Sequence, residues 1–175
     1  LSGTLEVNNI IELKHVGYIS NETALSPLIG TGKIRLFKTI INGSYSNIGG
    51  LGLSIQSKTP MGNTRIEREF KAYNLMGKER INRVYNIEPE INYDLDVTLE
   101  FHFWESELNE NNLSELIMYK STDKGENWFS VGGSLNDNNQ SFQYSGIRQF
   151  SKWTLGSNQI TPLAVELVAF KGKRL

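Results

Sequence analysis

DLDVTLEFHFW, from Asp94 to Trp104, is the stretch whose pattern decides the fold. Leu95, Val97, Leu99, Phe101 and Phe103 alternate with Asp94, Asp96, Thr98, Glu100 and His102. Successive side chains of a strand point to opposite faces of its sheet. A sustained period of two therefore predicts a strand with one face buried and one wet.

Shorter versions of this pattern lie on both sides. LEV (5–7), IIELKHV (10–16), KIRLFKTII (33–41), LGLSIQS (51–57), TRIEREFKAY (64–73) and ERINRVYNI (79–87) precede it. LSELIMYKS (113–121), NWFSVGG (127–133), SFQYS (141–145) and FSKWTLG (150–156) follow. Clusters of Gly, Asn, Asp and Pro interrupt them at intervals of roughly 8–12 residues, the spacing of an all-β fold. The expected architecture is an antiparallel two-sheet sandwich, Greek-key or jelly-roll-like. Helical period is thin; ESELNENNLSEL (105–116) allows a turn or more around Glu105–Asn109.

The organisation reads as three parts. Residues 1–33 form an annex of closely spaced short strands. It is either the last rung of a β-solenoid or the first hairpin of the sandwich. Residues 34–157 form the sandwich. Residues 158–175 contain a polar gap, Pro162, one short apolar strand and a basic end, and read as a linker with a docking strand. The chain opens abruptly at Leu1 and is expected to be a piece of a longer protein.

Bulk composition sets outer limits. In 175 residues, 38% are hydrophobic and 21% charged, enough to bury a real core. Eighteen Lys and Arg against nineteen Asp and Glu leave a net charge of −1, so bulk charge favours neither nucleic acid nor an anionic membrane surface. Cysteine is absent, which removes disulfides, thiolate metal sites and cysteine catalysis. The apolar runs all fall short of the ~20 residues a membrane-crossing helix needs.

KSTDKGENWFSV (120–131) fits Ser-x-Asp-x-Gly-x-x-Trp, the Asp-box pattern found in sialidases and other bacterial surface proteins. In such a turn the Asp123 carboxylate accepts backbone N–H groups, Gly125 supplies a positive φ, Trp128 folds back over the hairpin, and Ser121 opens it. Local structure satisfies all four, so the motif requires no substrate. Sialidases carry a similar pattern once per propeller blade, away from the active site; here it occurs once. The expectation is a structural turn.

Catalytic constellations are hard to assemble. Glycoside hydrolysis needs two carboxylates ~5–10 Å apart in a cleft. Asp94 with Asp96, and Glu105, Glu107 and Glu110, are the candidates, and a solvated strand face or a polar loop explains them equally. The acidic loop is also a candidate Ca2+ site, although no D-x-D-x-D-G loop is present. His15 and His102 are too few for a His-rich metal site, and no G-x-S-x-G elbow occurs. GLG at 50–52 lacks the helix and Lys-Ser/Thr of a phosphate cradle. The expectation is no catalytic residue, no bound metal and no cofactor, with Ca2+ the one retained candidate.

Two arginines are unexpected on apolar faces. Ile66, Arg68, Phe70 and Ala72 share one face, and Ile81, Arg83, Tyr85 and Ile87 share another. A buried guanidinium requires a partner. Glu105 or Glu107 could supply a structural ion pair; the functional alternative is capture of an anion or other ligand. Trp104 continues the polar face after Glu100 and His102, and these three form a candidate sugar-stacking surface unless the following loop covers the indole. Trp153 is expected in the core.

Several segments together resemble one family: NETALSPLIGTGKI, GGLGLSIQSKTPMGNTRIER, INRVYNIEPEINYDLDVTLEFHFWESELN, LIMYKSTDKGENW and GIRQFSKWTLGS. In this order they are similar to a module near the C-terminal end of large exported proteins of gliding and related Gram-negative bacteria. There a PLPVELxxF linker leads into the sorting domain read by the type IX secretion system. Here PLAVELVAF (162–170) matches, with Ala164 in place of the second Pro. The resemblance implies export and display on the cell surface, neighbouring domains of the same polypeptide as partners, and a sorting domain beyond this sequence. It places Arg68, Arg83 and Glu107 on the family's arginine and glutamate positions. The expected function is a non-catalytic structural or adhesion module; the alternative is a carbohydrate-binding module that contacts cell-surface or extracellular polysaccharide. Nucleic acid binding and membrane insertion are not expected.

Overall fold

A computed structural model describes residues 3–14, 17–75, 77–136 and 140–158. In chain order the strands are β1 (Leu5–Val7), β2 (Ile10–Leu13), β3 (Leu28–Gly30), β4 (Lys33–Ile40), β5 (Gly43–Tyr45), β6 (Leu53–Ser57), β7 (Gly62–Glu69) and β8 (Asn74–Leu75). Then come β9 (Lys78–Glu79), β10 (Val84–Glu88), β11 (Val97–His102), β12 (Leu116–Ser121), β13 (Phe129–Gly132), β14 (Ser134–Asn136), β15 (Ser141–Ile147) and β16 (Lys152–Ser157). Short 3-10 turns occur at Ile48–Gly50, Glu105–Glu107 and Leu113–Glu115.

Two sheets pack face to face as a β-sandwich. The larger has the order β13-β12-β16-β10-β7-β4-β2, and the smaller β14-β15-β11-β6-β5. The chain crosses between sheets repeatedly, so most spatial neighbours are not sequence neighbours. β11 lies at the centre of the smaller sheet, antiparallel to both β6 and β15. Its alternation is realised: Val97, Leu99 and Phe101 are buried while Thr98, Glu100 and His102 are not. They meet Ile66, Tyr85, Ile87, Met118, Trp153 and Leu155 of the larger sheet in one core. The Tyr85 and Phe101 rings touch edge-on at 4.6 Å, an arrangement that favours aromatic pairs across sheets.

The larger sheet departs from simple alternation. β7 buries both faces toward its end, including Glu67 and Glu69. On the outer face Lys33 and Arg35 flank Glu67 at 2.9 and 2.6 Å, and Lys152 reaches Glu69 at 2.8 Å. Their long aliphatic stems shield the carboxylates, so a charged strand face becomes partly dry. The sequence pattern could not show this, because charge alone reads as solvated.

Residues 5–13 and 28–36 pair in parallel, unlike the rest. β1 runs parallel to β3 with Leu5 opposite Leu28, and β2 runs parallel to β4 with Ile10 opposite Lys33, so both pairs share one register. β2 thereby becomes an edge strand of the larger sheet. The annex expected over 1–33 is thus joined to the sandwich through β2, and β3 leads straight into β4. Apart from β1, the strands of two or three residues (β3, β5, β8, β9 and β14) carry too little period to be read from sequence. The expected helical turn after Trp104 is one 3-10 turn. The expected linker and docking strand lie beyond Asn158, outside the described residues.

Phe101→Ala should destabilise the fold by about 3–5 kcal/mol in denaturant unfolding, because it empties the centre of the core. Phe129→Ala, at a side chain 62% exposed, should change stability by no more than about 0.5 kcal/mol.

Candidate functional site

Gly49-Gly50-Leu51-Gly52 builds the site from below. All three glycines have positive φ (60°, 73° and 74°), a region disfavoured for other residues. The turn drives the Leu51 carbonyl inward, where it accepts from the Tyr85 hydroxyl and from Arg83 Nη1 at 3.1 Å. A Cβ on Gly52 would lie 2.3 Å from Arg83 Nη1, and one on Gly50 would lie 2.0 Å from the Ile19 carbonyl. GLG is therefore not a phosphate cradle; it is the space that lets an arginine and a loop approach the backbone.

Above this turn, four charged side chains converge. Arg68 from β7 donates to both oxygens of Glu22, Nη1 to Oε2 at 2.5 Å and Nη2 to Oε1 at 2.6 Å. Its Nη2 also reaches Glu107 Oε1 at 3.1 Å. Arg83, just before β10, grips Glu107 with Nε and Nη2 at 2.9 Å each. Glu107 accepts further from the Trp104 backbone N–H at 2.9 Å. Glu22 accepts from the Leu28 N–H at 3.2 Å, so it also fixes the path of the N-terminal loop. Both arginine side chains are 1% exposed or less, and both glutamates 7%. Two positive and two negative charges cancel, which makes burial of the quartet tolerable. Among the described residues Arg68 Nε is buried without a hydrogen-bond partner, and the Phe70 ring lies 4.9 Å from the guanidinium.

The electrostatics follow. Burial alone would lower the Arg83 pKa, but the charges of Glu107 and, behind it, Glu22 outweigh it and hold the guanidinium protonated. Burial alone would raise the Glu22 pKa; the hydrogen bonds and charge of Arg68, with Arg83 behind it, bring it below the ordinary value. Burial raises Tyr85, so its hydroxyl stays a donor. These groups are locked in their charged or neutral forms. None is poised near neutrality to move a proton.

Of the expected partners, Glu107 belongs to the cluster and Glu105 does not. Glu105 is exposed and accepts from Gln140 Nε2 at 3.3 Å. The reason is the 3-10 turn at Glu105–Glu107, which points the two side chains apart. Glu22 was missed by sequence reasoning, because it sits in NETALSPL, far from any strand period. A third buried arginine, Arg80, was also missed. It stacks on Tyr119 at 4.1 Å and donates to the Ser157 carbonyl at 3.1 Å.

Ser121, Asp123, Gly125 and Trp128 meet in the β12–β13 turn. Asp123 Oδ1 accepts from the Ser121 hydroxyl at 2.7 Å and the Asn127 N–H at 2.9 Å, and Oδ2 from the Asn127 amide at 2.7 Å. Gly125 has φ 99° and donates to Ser121 Oγ at 2.8 Å. Trp128 Nε1 returns to the Gly125 carbonyl at 3.1 Å, and its ring packs on Tyr73 at 5.2 Å. These hydrogen bonds, the Asn127 backbone N–H first, hold the Asp123 carboxyl down at about 2.

His102 and Trp104 line a cleft of about 530 Å³ that reaches two members of the quartet, Glu22 and Arg83, and is lined also by Tyr18 and Asn47. Glu100 lies outside it, bonded to the Ser141 hydroxyl at 2.7 Å. Trp104 is half-buried, and its indole nitrogen is shielded from solvent with no acceptor among the described residues. Among the described residues no group of three or more His, Cys, Asp or Glu side chains is arranged to hold a metal ion. Glu107, one of the acids considered for Ca2+, is engaged by both arginines. Trp153 lies in the core, 1% exposed. No family model matches the chain, and none of the curated proteins compared with it matches either.

Glu107→Gln should cost about 3–5 kcal/mol of unfolding free energy, the loss expected when a buried pair keeps only one partner. Glu105→Gln should stay within about 0.5 kcal/mol. Asp123 has a folded pKa below its unfolded value, so its contribution is present above the unfolded value of 3.8 and disappears as pH falls through about 2. Asp123→Asn should therefore lower the thermal midpoint at pH 7, with a penalty that shrinks toward pH 2.

Proposed function

We propose that the chain is a non-catalytic structural module of a larger exported protein displayed at the surface of a Gram-negative bacterium. It would act as a spacer or adhesion platform beside neighbouring domains. One observation carries this reading: the charged residues on apolar faces use their hydrogen bonds on one another. Arg68, Arg83, Glu22 and Glu107 form a neutral, buried unit that ties β7, β10, the Glu105–Glu107 turn and the N-terminal loop together. Such a unit specifies a fold and offers no free nucleophile, acid or base. The hairpin at Ser121–Trp128 is read in the same way, as an Asp-box that shapes a turn. Export and surface display rest on the family resemblance of the sequence.

A second reading has its own observation. Tyr18 is 58% exposed and stands between the His102–Trp104 cleft and a neighbouring one lined by Phe37, Tyr45 and Asn47. Aromatic faces interleaved with Asn and His side chains are the surface on which a sugar chain stacks. In this reading the module binds polysaccharide and still carries out no reaction.

A glycan array and a panel of chromogenic glycosides and peptides separate the possibilities. The structural reading predicts neither saturable binding nor turnover. Saturable binding abolished by both Tyr18→Ala and Trp104→Ala would replace it with the second reading. Turnover lost on Glu107→Gln in a variant that still folds would overturn both.

A further inference from the structure

Among the described residues, the parallel stack at residues 5–13 ends without a cover. Two short strands and a corner (β1, Asn8-Asn9, β2) lie on two strands and a corner (β3, Thr31-Gly32, β4) in one unbroken register. The corners are tied as well. Gly32 N–H donates to the Val7 carbonyl at 2.7 Å, Lys33 N–H to the Asn9 carbonyl at 3.0 Å, and Thr31 N–H to Asn8 Oδ1 at 3.3 Å. This is rung-on-rung packing, in which each layer buries its neighbour's apolar side chains.

The inward positions show what is missing. Leu5 stands over Leu28, and Ile11 over Ile34. In the lower layer Leu28 is 6% exposed and Ile34 2%; in the upper layer Leu5 is 58% exposed and Ile11 40%. At Leu5 and Ile11 the column is dry one layer down and wet at the top, whereas Val7, in the same upper layer, is only 2% exposed. β2 closes the order of the larger sheet and β1 that of its own pair, so the outer backbone groups of both are open among the described residues. No proline blocks residues 5–13, and their charges, Glu6 and Glu12, do not interrupt the inward column.

We infer that this edge is an interaction surface that receives one more parallel β-solenoid rung. The occupant is an extended segment with two short strands and a corner, and with apolar residues over Leu5 and Ile11. Continuity with the existing rung-on-rung pairing selects it. A second copy of this chain fits poorly, because a two-fold axis would pair the two β2 edges antiparallel and misalign the inward columns. The surface lies on the annex, and its occupancy is independent of whether the cleft binds sugar.

The test appends a rung in cis. A copy of residues 5–27 is fused directly before Leu5. The copied strands then precede β1 and β2 by the same separation that β1 and β2 keep from β3 and β4. The expected result is slower amide hydrogen exchange over 5–7 and 10–13, by on the order of tenfold, and a higher thermal midpoint. A control copy carrying Leu5→Asp and Ile11→Asp should give neither change. Unchanged exchange in the first fusion, or equal protection in both, would overturn the inference. A parent chain that sediments as a dimer with these amides already protected would also overturn it, in favour of self-association.

Discussion

Two guanidinium groups placed on the apolar faces of adjacent strands, one on β7 and one just before β10, dictate much of this fold. Charges at that depth are ruinous alone and tolerable only as a neutral, closely bonded set. Arg68 and Arg83 therefore need two carboxylates brought in from elsewhere. Glu107 comes from the turn after β11, and Glu22 from the loop between β2 and β3. Both oxygens of each acid are engaged, so neither segment can shift without stranding a charge. The quartet acts as a clamp between the N-terminal loop, the glycine turn and the middle of the sandwich.

The glycines at 49, 50 and 52 make that clamp sterically feasible. They let Ile19 and Arg83 approach backbone that a Cβ would fend off, and they turn the Leu51 carbonyl into the cluster as an extra acceptor. Hydrophobic burial supplies the bulk driving force, through β11 and the residues it meets across the sheets. The quartet supplies specificity, since a rearranged sandwich could rebury Leu99 or Ile66 but could not easily re-pair four charges. The hairpin at Ser121–Trp128 repeats the principle at the surface, where one carboxylate organises a turn and a tryptophan closes it against Tyr73.

Much of this was legible in the sequence where side-chain period is strong. The alternation from Leu95 to Phe103 predicted β11 and the wet and dry faces that surround it. The misfit of Arg68 and Arg83 on otherwise apolar faces pointed to a buried ion pair with Glu105 or Glu107. Period says nothing about loops, so Glu22 was invisible, and it cannot choose between Glu105 and Glu107, which sit close together in a polar run. Only the 3-10 turn decides which one faces the arginines. Nor could it show that Glu67 and Glu69 would be sheltered, because that depends on lysine and arginine stems contributed by β4 and β16. The parallel pairing of residues 5–13 with 28–36 has no local signal at all; it depends on a register between segments that a long loop separates.

The central claim is that the quartet holds the structure together, and a double-mutant cycle on Arg83 and Glu107 tests it most directly. Unfolding free energies would be measured for Arg83→Met, Glu107→Leu and the pair together. The account predicts large losses for each single change and a coupling of about 2–3 kcal/mol, the double variant recovering part of what either single variant lost. Single variants as stable as the parent, with no coupling between them, would contradict it.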